Sequence, residues 1–301
     1  MSTRVLVTGA GGRLGQQVVR ELAAGGWAVT ALITADEDRS TIASYVDRVL
    51  LGRADDASTA KQAVTQVDAV VHLAAIPAPT LAAPEVVFGR NTLATFCVLD
   101  AAGAAGVPVG IIASSFSATG LPFSPHGTTP QYVPLDEEAP SQAADAYALG
   151  KITDEATAAM ISRRDGMTTT ALRFPYLGTP DDRLGDRFEQ LRRRPARGAA
   201  ELWSYLDTRD AARAITATLA RTGGDSAVIT VAAPQTLSPY PTSQLLDRYF
   251  PDVPRRRSIE GHDVPIDLTR ATLLLGFQAL HLWPQETADL DAFLESNQEN
   301  R

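Results

Sequence analysis

Lysine and cysteine are almost missing from this chain. Only Lys61 and Lys151 stand against twenty-five arginines, and Cys97 is the single cysteine, which excludes an intramolecular disulfide. Four scattered histidines offer no ligand spacing for a structural zinc, so no metal is expected. No apolar stretch reaches the roughly 18 residues a membrane-spanning helix needs, and the first apolar run, VLVTGA, is too short for a secretory leader. Positive charge is not in excess either. The net charge of −8 leaves no basic footprint for nucleic acid. The expectation is a cytoplasmic protein that meets a small molecule, with neither nucleic acid nor a membrane as partner.

What the chain does have is alternation. Residues 4–33, RVLVTGAGGRLGQQVVRELAAGGWAVTALI, read strand, glycine-rich turn, helix, strand. The first run is continuously apolar, as a parallel strand buried on both faces must be. Gly9 permits the tight turn, Gly12 a close approach of phosphate to backbone, and Gly15 close packing of helix on strand. The helix that follows offers free N–H groups and a positive dipole end to a pyrophosphate. Strand DRVLL, helix ASTAKQAVTQV, strand DAVVHLAA, helix FGRNTLATFCVLDAAGAAG and strand VPVGIIASS continue the pattern. Such alternation predicts the α/β class, a Rossmann-type doubly wound parallel sheet.

The segment DAYALGK sets Tyr147 four residues before Lys151, on one face of a predicted helix. With seven tyrosines and two lysines, an accidental pair at this spacing occurs in about one such chain in twenty. Lysine differs from arginine in being a compact charge whose pKa responds to burial, so its use here, in a chain that otherwise prefers arginine, is informative.

These motifs belong together. TGAGGRLG (8–15), VVHLAA (70–75), Asn91 in NTLAT, SSFSATG (114–120), YALGK (147–151), LRFPYLG (172–178), LWSYLDTRDAARAI (202–215) and the late IDLTRATLLLGF are spread over nearly the whole chain. In this combination the chain resembles an extended short-chain dehydrogenase/reductase of the NAD-dependent epimerase/dehydratase family, nearest the uronate dehydrogenase-like branch. The resemblance implies that Tyr147 exchanges a proton with the substrate oxygen while hydride moves to or from nicotinamide. Lys151 would lower the tyrosine pKa and hold the cofactor ribose, and Ser115 would hydrogen-bond the reacting oxygen. A free tyrosine titrates near 10, and a neighbouring ammonium favours the phenolate. By the same resemblance the cofactor contacts are Gly9, Gly12, Arg13, Leu14, Gly15, Thr34, Arg53, Leu73, Ala74, Ala75, Asn91, Tyr147, Lys151 and Pro175. Substrate contacts would come from Phe116, Ser117, Tyr176 and Trp203.

Departures from the family pattern bear on cofactor and substrate. The acid that ends the second strand in NAD-selective relatives is replaced by Ile33 and Thr34, with Asp36 nearest, and the family's Gly-Asp reads Gly52-Arg53. With Arg13 and Arg53 nearby, the cofactor is NAD or NADP with a lean to NADP; Asp55 or Asp56 could reach the adenine. Phe116 and Ser117 stand where dehydratases carry an acidic pair, and Tyr176 and Trp203 where nucleotide-sugar enzymes carry Asn and Arg. Neither 4,6-dehydration nor a nucleoside-diphosphate sugar is therefore favoured.

Two domains are expected: 1–175 for the dinucleotide, and 176–301 as mainly a smaller C-terminal substrate lobe from which about 207–222 return to the first. The Pro-rich segment 121–142, with His126 in it, is expected to rim the pocket, and Arg187, Arg192 or Arg209 to anchor a carboxylate. A homodimer through the long helices near Phe88 and Ala144 is a family expectation. The function expected is an NAD(P)-dependent oxidoreductase for a secondary alcohol or ketone of a small polar or sugar-like molecule. Its rivals are a sugar epimerase that retains its cofactor with no net redox change, and a dinucleotide-sensing regulatory protein.

Overall fold

The computed structural model describes residues 3–298, apart from 38, 222 and 224. Seven strands form one parallel sheet: β1 (Arg4–Thr8), β2 (Ala28–Ile33), β3 (Arg48–Leu51), β4 (Ala69–His72), β5 (Val109–Ser115), β6 (Thr168–Phe174) and, later in the chain, Ala227–Thr230. Their order across the sheet is β3-β2-β1-β4-β5-β6 followed by that last strand, each pair parallel. β2, β4 and β6 are buried at every position, which is why their sequences run apolar instead of alternating. Strand order reverses between β1 and β4, and the crevice outside their carboxyl ends is where a doubly wound sheet takes its ligand.

Helices cover both faces. α1 (Arg13–Ala24) buries Gly15, Val18, Val19 and Leu22, the i, i+3, i+4, i+7 stripe of an amphipathic helix. On the opposite face lie α2 (Ala57–Ala63) and two long helices packed on each other, α3 (Pro84–Ala104) and α4 (Ala146–Asp165). The remaining helices are α5 (Gly185–Arg193), α6 (Thr208–Leu219), α7 (Thr242–Tyr249), α8 (Thr269–Leu275) and α9 (Leu290–Gln298). α6 returns to the sheet and packs on α1, and strand Ala227–Thr230 joins the sheet beside β6. Among the described residues no helix is long and apolar enough to cross a membrane.

A second core lies beyond the carboxyl edge of the sheet, built from Phe188, Leu191, Trp203, Tyr205, Leu245, Leu246 and Leu290. A short parallel pair, β7 (Tyr176–Gly178) and β8 (Tyr205–Asp207), connects it to β6. The late strand of the main sheet, Ala227–Thr230, is β9. Two expectations change here. The segment 121–142 is more than a rim: Leu121, Val133 and Leu135 are buried in the second core, and Val133 and Leu135 bridge to Arg255 and Ile266. Its prolines forbid a regular strand, yet isolated backbone bonds still tie it down. α8, expected in the substrate lobe, sends Ala271 and the following Phe277 into the core of the sheet domain.

One buried ion pair joins helix to sheet directly beneath the carboxyl edge. Glu155 of α4 accepts from Arg173 of β6 through both oxygens, each at 2.8 Å, and from the Ser114 hydroxyl of β5 at 2.6 Å. Burial opposes the Arg173 charge, but Glu155 outweighs it and its pKa stands above the ordinary value. Removing one partner would leave a carboxylate buried and unpaired. Arg173→Met should therefore destabilise the fold by about 3–5 kcal/mol, read as a lower urea midpoint at unchanged m-value, with Arg173→Lys intermediate because its ammonium cannot reproduce the fork.

Candidate active site

The glycine-rich loop after β1 is shaped by close backbone approach. Gly9 takes φ +66°, and a Cβ there would lie 2.9 Å from Ala74 Cα; one on Gly15 would lie 2.1 Å from the Gly9 carbonyl oxygen. No side chain could occupy either position without moving backbone. Gly12 caps α1 with no side-chain bond to the first turn and faces the crevice, so the helix end is open to an anion. Behind the loop, Thr8 Oγ1 accepts from the amides of Leu73 and Ala74, each at 3.2 Å, and lies 2.8 Å from His72 Nδ1. With both lone pairs of the hydroxyl used, its proton goes to Nδ1, which places the imidazole proton on Nε2. Burial, and then the Lys151 charge, lowers the His72 pKa to about 3, so this ring is neutral.

The crevice is a cleft of about 690 Å³. Its sheet-side wall brings together Gly9, Gly12, Arg13, Leu14, Gly15, Leu73, Ala75, Ser115, Phe116, Ser117, Tyr147, Lys151 and Pro175, and Tyr176 faces them from β7, all expected from the sequence. Asp145 sets the start of α4 by accepting from the amides of Tyr147 and Ala148 at 2.8 and 2.9 Å, a regular N-cap. That fixes Tyr147 and Lys151 on consecutive turns facing the cleft. Tyr147 is 7% exposed and meets Phe123 edge-on, ring centroids 6.4 Å apart. Lys151 Nζ donates to the Ala113 carbonyl at 2.7 Å, lies 3.3 Å from Asp154 Oδ2, and sits 5.8 Å from the Tyr147 ring centroid. Burial pulls this ammonium down; Asp154 and Tyr147 outweigh it and keep its pKa above the usual lysine value. Ser115 Oγ accepts from the Ser117 amide at 3.1 Å, which leaves its own proton free to donate into the cleft. Ser114 points its hydroxyl at Glu155 instead.

Five predicted residues lie elsewhere. Asn91 spends its amide on Ile76, accepting at 2.8 Å and donating at 3.0 Å, so it ties α3 to the exit of β4 instead of lining the cleft. Ala74 is behind the loop, against Gly9. Thr34 is engaged by Glu37, which accepts from its amide at 2.8 Å and its hydroxyl at 3.3 Å. Arg53 pairs with Asp55 at 2.5 Å, and Asp56 caps α2. Trp203, expected at the substrate, is 1% exposed: its Nε1 donates to the Pro195 carbonyl at 2.7 Å, and its ring packs on Tyr249 and Phe250. His126 is exposed. Among the described residues no group of His, Cys, Asp and Glu is placed to hold a metal.

The second-lobe wall held two surprises for the sequence reading. Arg187, Arg192 and Arg209 are each paired already, with Glu201, Glu286 and Asp207. The cation that this wall presents to the cleft is Arg183, stacked 4.4 Å from the Tyr176 ring centroid and in no ion pair with a described residue. Glu201 also lines the cleft, and burial raises its pKa against the pull of Arg187 and then Arg183. Leu202 and Trp203, just after it, both take φ of 52°, a conformation costing about 1–3 kcal/mol per residue. Gly198 makes room for it, since a Cβ there would stand 2.2 Å from the Trp203 ring. No periodicity signals a non-glycine left-handed pair, so the position of Glu201 was not legible in the sequence.

A dinucleotide-binding domain whose switch-point cleft is closed by a second lobe is thus the class that fold and site define. A family model described as the NAD dependent epimerase/dehydratase family matches residues 5–232. The chain belongs to that family, and it is an enzyme of the extended short-chain dehydrogenase/reductase type. Its fold is shared with a UDP-galactose 4-epimerase, at 24% identity over 92% of this chain and 93% of that one, TM-score 0.67. It is equally similar to a short-chain dehydrogenase/reductase superfamily protein of Agrobacterium tumefaciens with bound NAD, at 22% identity over 99% and 100%, TM-score 0.67. An uncharacterised protein of Schizosaccharomyces pombe is 34% identical over 71 residues, and that match spans 24% of each chain.

His72 gives a pH signature to the fold. Its pKa falls from 6.5 to about 3 on folding, so the unfolded chain binds the proton first. This contribution is whole above pH 6.5 and is lost as the pH drops toward 3, by about 1.4 kcal/mol per pH unit from this group. Urea unfolding across that window should show a shallower pH slope in His72→Asn than in the unaltered chain. Equal slopes would mean that the folded imidazole is charged.

Proposed function

We propose that the chain is an NAD-dependent oxidoreductase acting on a secondary alcohol or ketone of a small polar, sugar-like substrate. The observation that carries this reading is the convergence of Ser115, Tyr147 and Lys151 with the open end of α1 on one cleft. The glycine loop fits a pyrophosphate, because backbone amides and the helix dipole face the cleft with no side chain between. When bound, nicotinamide supplies the hydride acceptor or donor. The residues of the chain do the rest. Ser115 donates to the substrate oxygen, Tyr147 takes or returns its proton, and Lys151 keeps a positive charge beside the phenol so that proton transfer is feasible near neutral pH. Arg183 on its Tyr176 platform would meet an anionic or strongly polar end of the substrate, and Glu201 a donor hydroxyl.

The cofactor reading moves from NADP to NAD. Arg13 is paired with Asp182 at 2.9 Å and Arg53 with Asp55, so neither is a free guanidinium waiting for a 2′-phosphate. Glu37 folds back on Thr34 and lies against Gly11, where a Cβ would be 3.0 Å from its Oε1. This puts a carboxylate at the end of β2 after all, three residues later in sequence than the family pattern leads one to look. A carboxylate there favours ribose hydroxyls and repels a phosphate. The bound NAD of the Agrobacterium protein agrees with this choice.

The epimerase reading uses the same residues and draws on the likeness to a UDP-galactose 4-epimerase. Against it, Trp203 is packed in the core where an arginine would hold a diphosphate. Accumulation of NADH during turnover decides for the oxidoreductase; interconversion with none decides for the epimerase. A regulator would bind the dinucleotide without turnover.

Tyr147→Phe should lower turnover by about 100-fold or more while NAD still binds by calorimetry. Undiminished turnover would remove Tyr147 from the chemistry. Calorimetry should also find NADH bound more tightly than NADPH, with Glu37→Gln narrowing the ratio by about tenfold. A preference for NADPH in the unaltered chain would overturn the Glu37 reading.

A further inference from the structure

Asp154 and Glu155 are consecutive carboxylates buried one turn beyond Lys151, and they are in opposite situations. Glu155 has every oxygen occupied by Arg173 and Ser114. Asp154 is 1% exposed; its Oδ2 meets Lys151 Nζ at 3.3 Å, and the Thr95 hydroxyl of α3 stands beside the carboxylate but is aimed at the Asn91 carbonyl at 3.2 Å, so Oδ1 is buried with no well-formed hydrogen bond among the described residues. A buried carboxylate with an oxygen to spare is a poor way to gain stability, since an unsatisfied buried acceptor costs about 1–3 kcal/mol. It is a direct way to set the field at a neighbouring charge.

We infer that Asp154 is a positioning residue that acts through Lys151: it holds the ammonium on the Ala113 side of the cleft and cancels part of its charge, so that Tyr147 keeps its proton to a higher pH than a lone lysine would allow. The inference rests on the proposed acid/base role of Tyr147. An ammonium alone is a monopole beside the phenol, whereas an ammonium against a carboxylate is a dipole whose field falls off faster. The other charges facing this pair do not substitute for Asp154. Glu155, from the same helix, is neutralised by Arg173 from β6; His72 from β4 is uncharged; Asp145 is turned to the α4 amides. A tyrosine kept protonated is loaded to donate, so the device favours reduction of a carbonyl over oxidation of an alcohol at neutral pH.

The test needs no knowledge of the substrate. Tyrosinate absorbance of the NAD-loaded full chain is titrated against pH, and subtracting the Tyr147→Phe titration isolates the Tyr147 step. Asp154→Asn, nearly isosteric, should move that step down by about one pH unit, with the circular dichroism spectrum and NAD affinity unchanged. Asp154→Glu, which keeps the charge, should leave it near its original place. A step unmoved or raised in Asp154→Asn overturns the role. If the Asn variant does not fold, failure of Asp154→Glu to hold the step in place also overturns it. The two readings fail separately. A step at the free-tyrosine value that still falls in Asp154→Asn supports Asp154 while sinking Tyr147 as acid/base. A step already low in both chains does the reverse.

Discussion

Lys151 carries its ammonium into the gap between α4 and the end of β5, where it donates to the Ala113 carbonyl at 2.7 Å and faces Asp154. A charge this deep requires partners, and the partners dictate much of what surrounds it. The Asp145 cap has to start α4 in the correct phase. The Glu155–Arg173–Ser114 bonds have to lock that helix to the two strands whose ends form the cleft wall. A slip of α4 by one residue would break the ion pair and turn Tyr147 and Lys151 out of the cleft together. The Glu155–Arg173 pair and the Tyr147–Lys151 pair therefore share one constraint, on one helix.

The cleft has two walls of different character. The sheet-side wall is backbone brought close to backbone: Gly9 against Ala74, Gly15 against the Gly9 carbonyl, Thr8 stitching the end of β1 to the residues after β4. It leaves no room for a side chain at Gly9 or Gly15. The opposite wall is side chain, with Tyr176, Arg183 and Glu201 presented from β7 and the segments around α5. Pro175 alone separates β6 from β7, so the two walls are held at a short distance by the chain itself.

The fold was legible because its signals are local. Continuous apolar runs, the 3.6-residue stripe of α1, the glycine spacing and the alternation of elements each depend on a few neighbouring residues, and together they leave few topologies open. Tyr147 and Lys151 were legible for the same reason, since a separation of four residues on a helix is itself a statement about geometry. The expected site residues that lie away from the cleft are held by polar or packing partners that no periodicity records, some of them only two or three residues off. Arg53, Thr34 and Asn91 were expected at the cofactor and are instead engaged by Asp55, Glu37 and Ile76. Trp203 was expected at the substrate and is held by Pro195 and the rings of α7 and Phe250.

The sequence by itself determined the family, the parallel sheet, the glycine-rich turn after β1 and the Tyr–Lys helix, because hydrogen-bond periodicity and glycine freedom are properties of short segments. Only the tertiary structure decided which arginines are spent on carboxylates and which one is left facing the cleft. It alone showed that Glu37 folds back to the end of β2, and that Asp154 is buried with an oxygen to spare. Ion pairing and burial depend on what the fold brings within a few ångströms, and for charges 14 residues apart, as in Arg187–Glu201, or 169 apart, as in Arg13–Asp182, no local pattern records it.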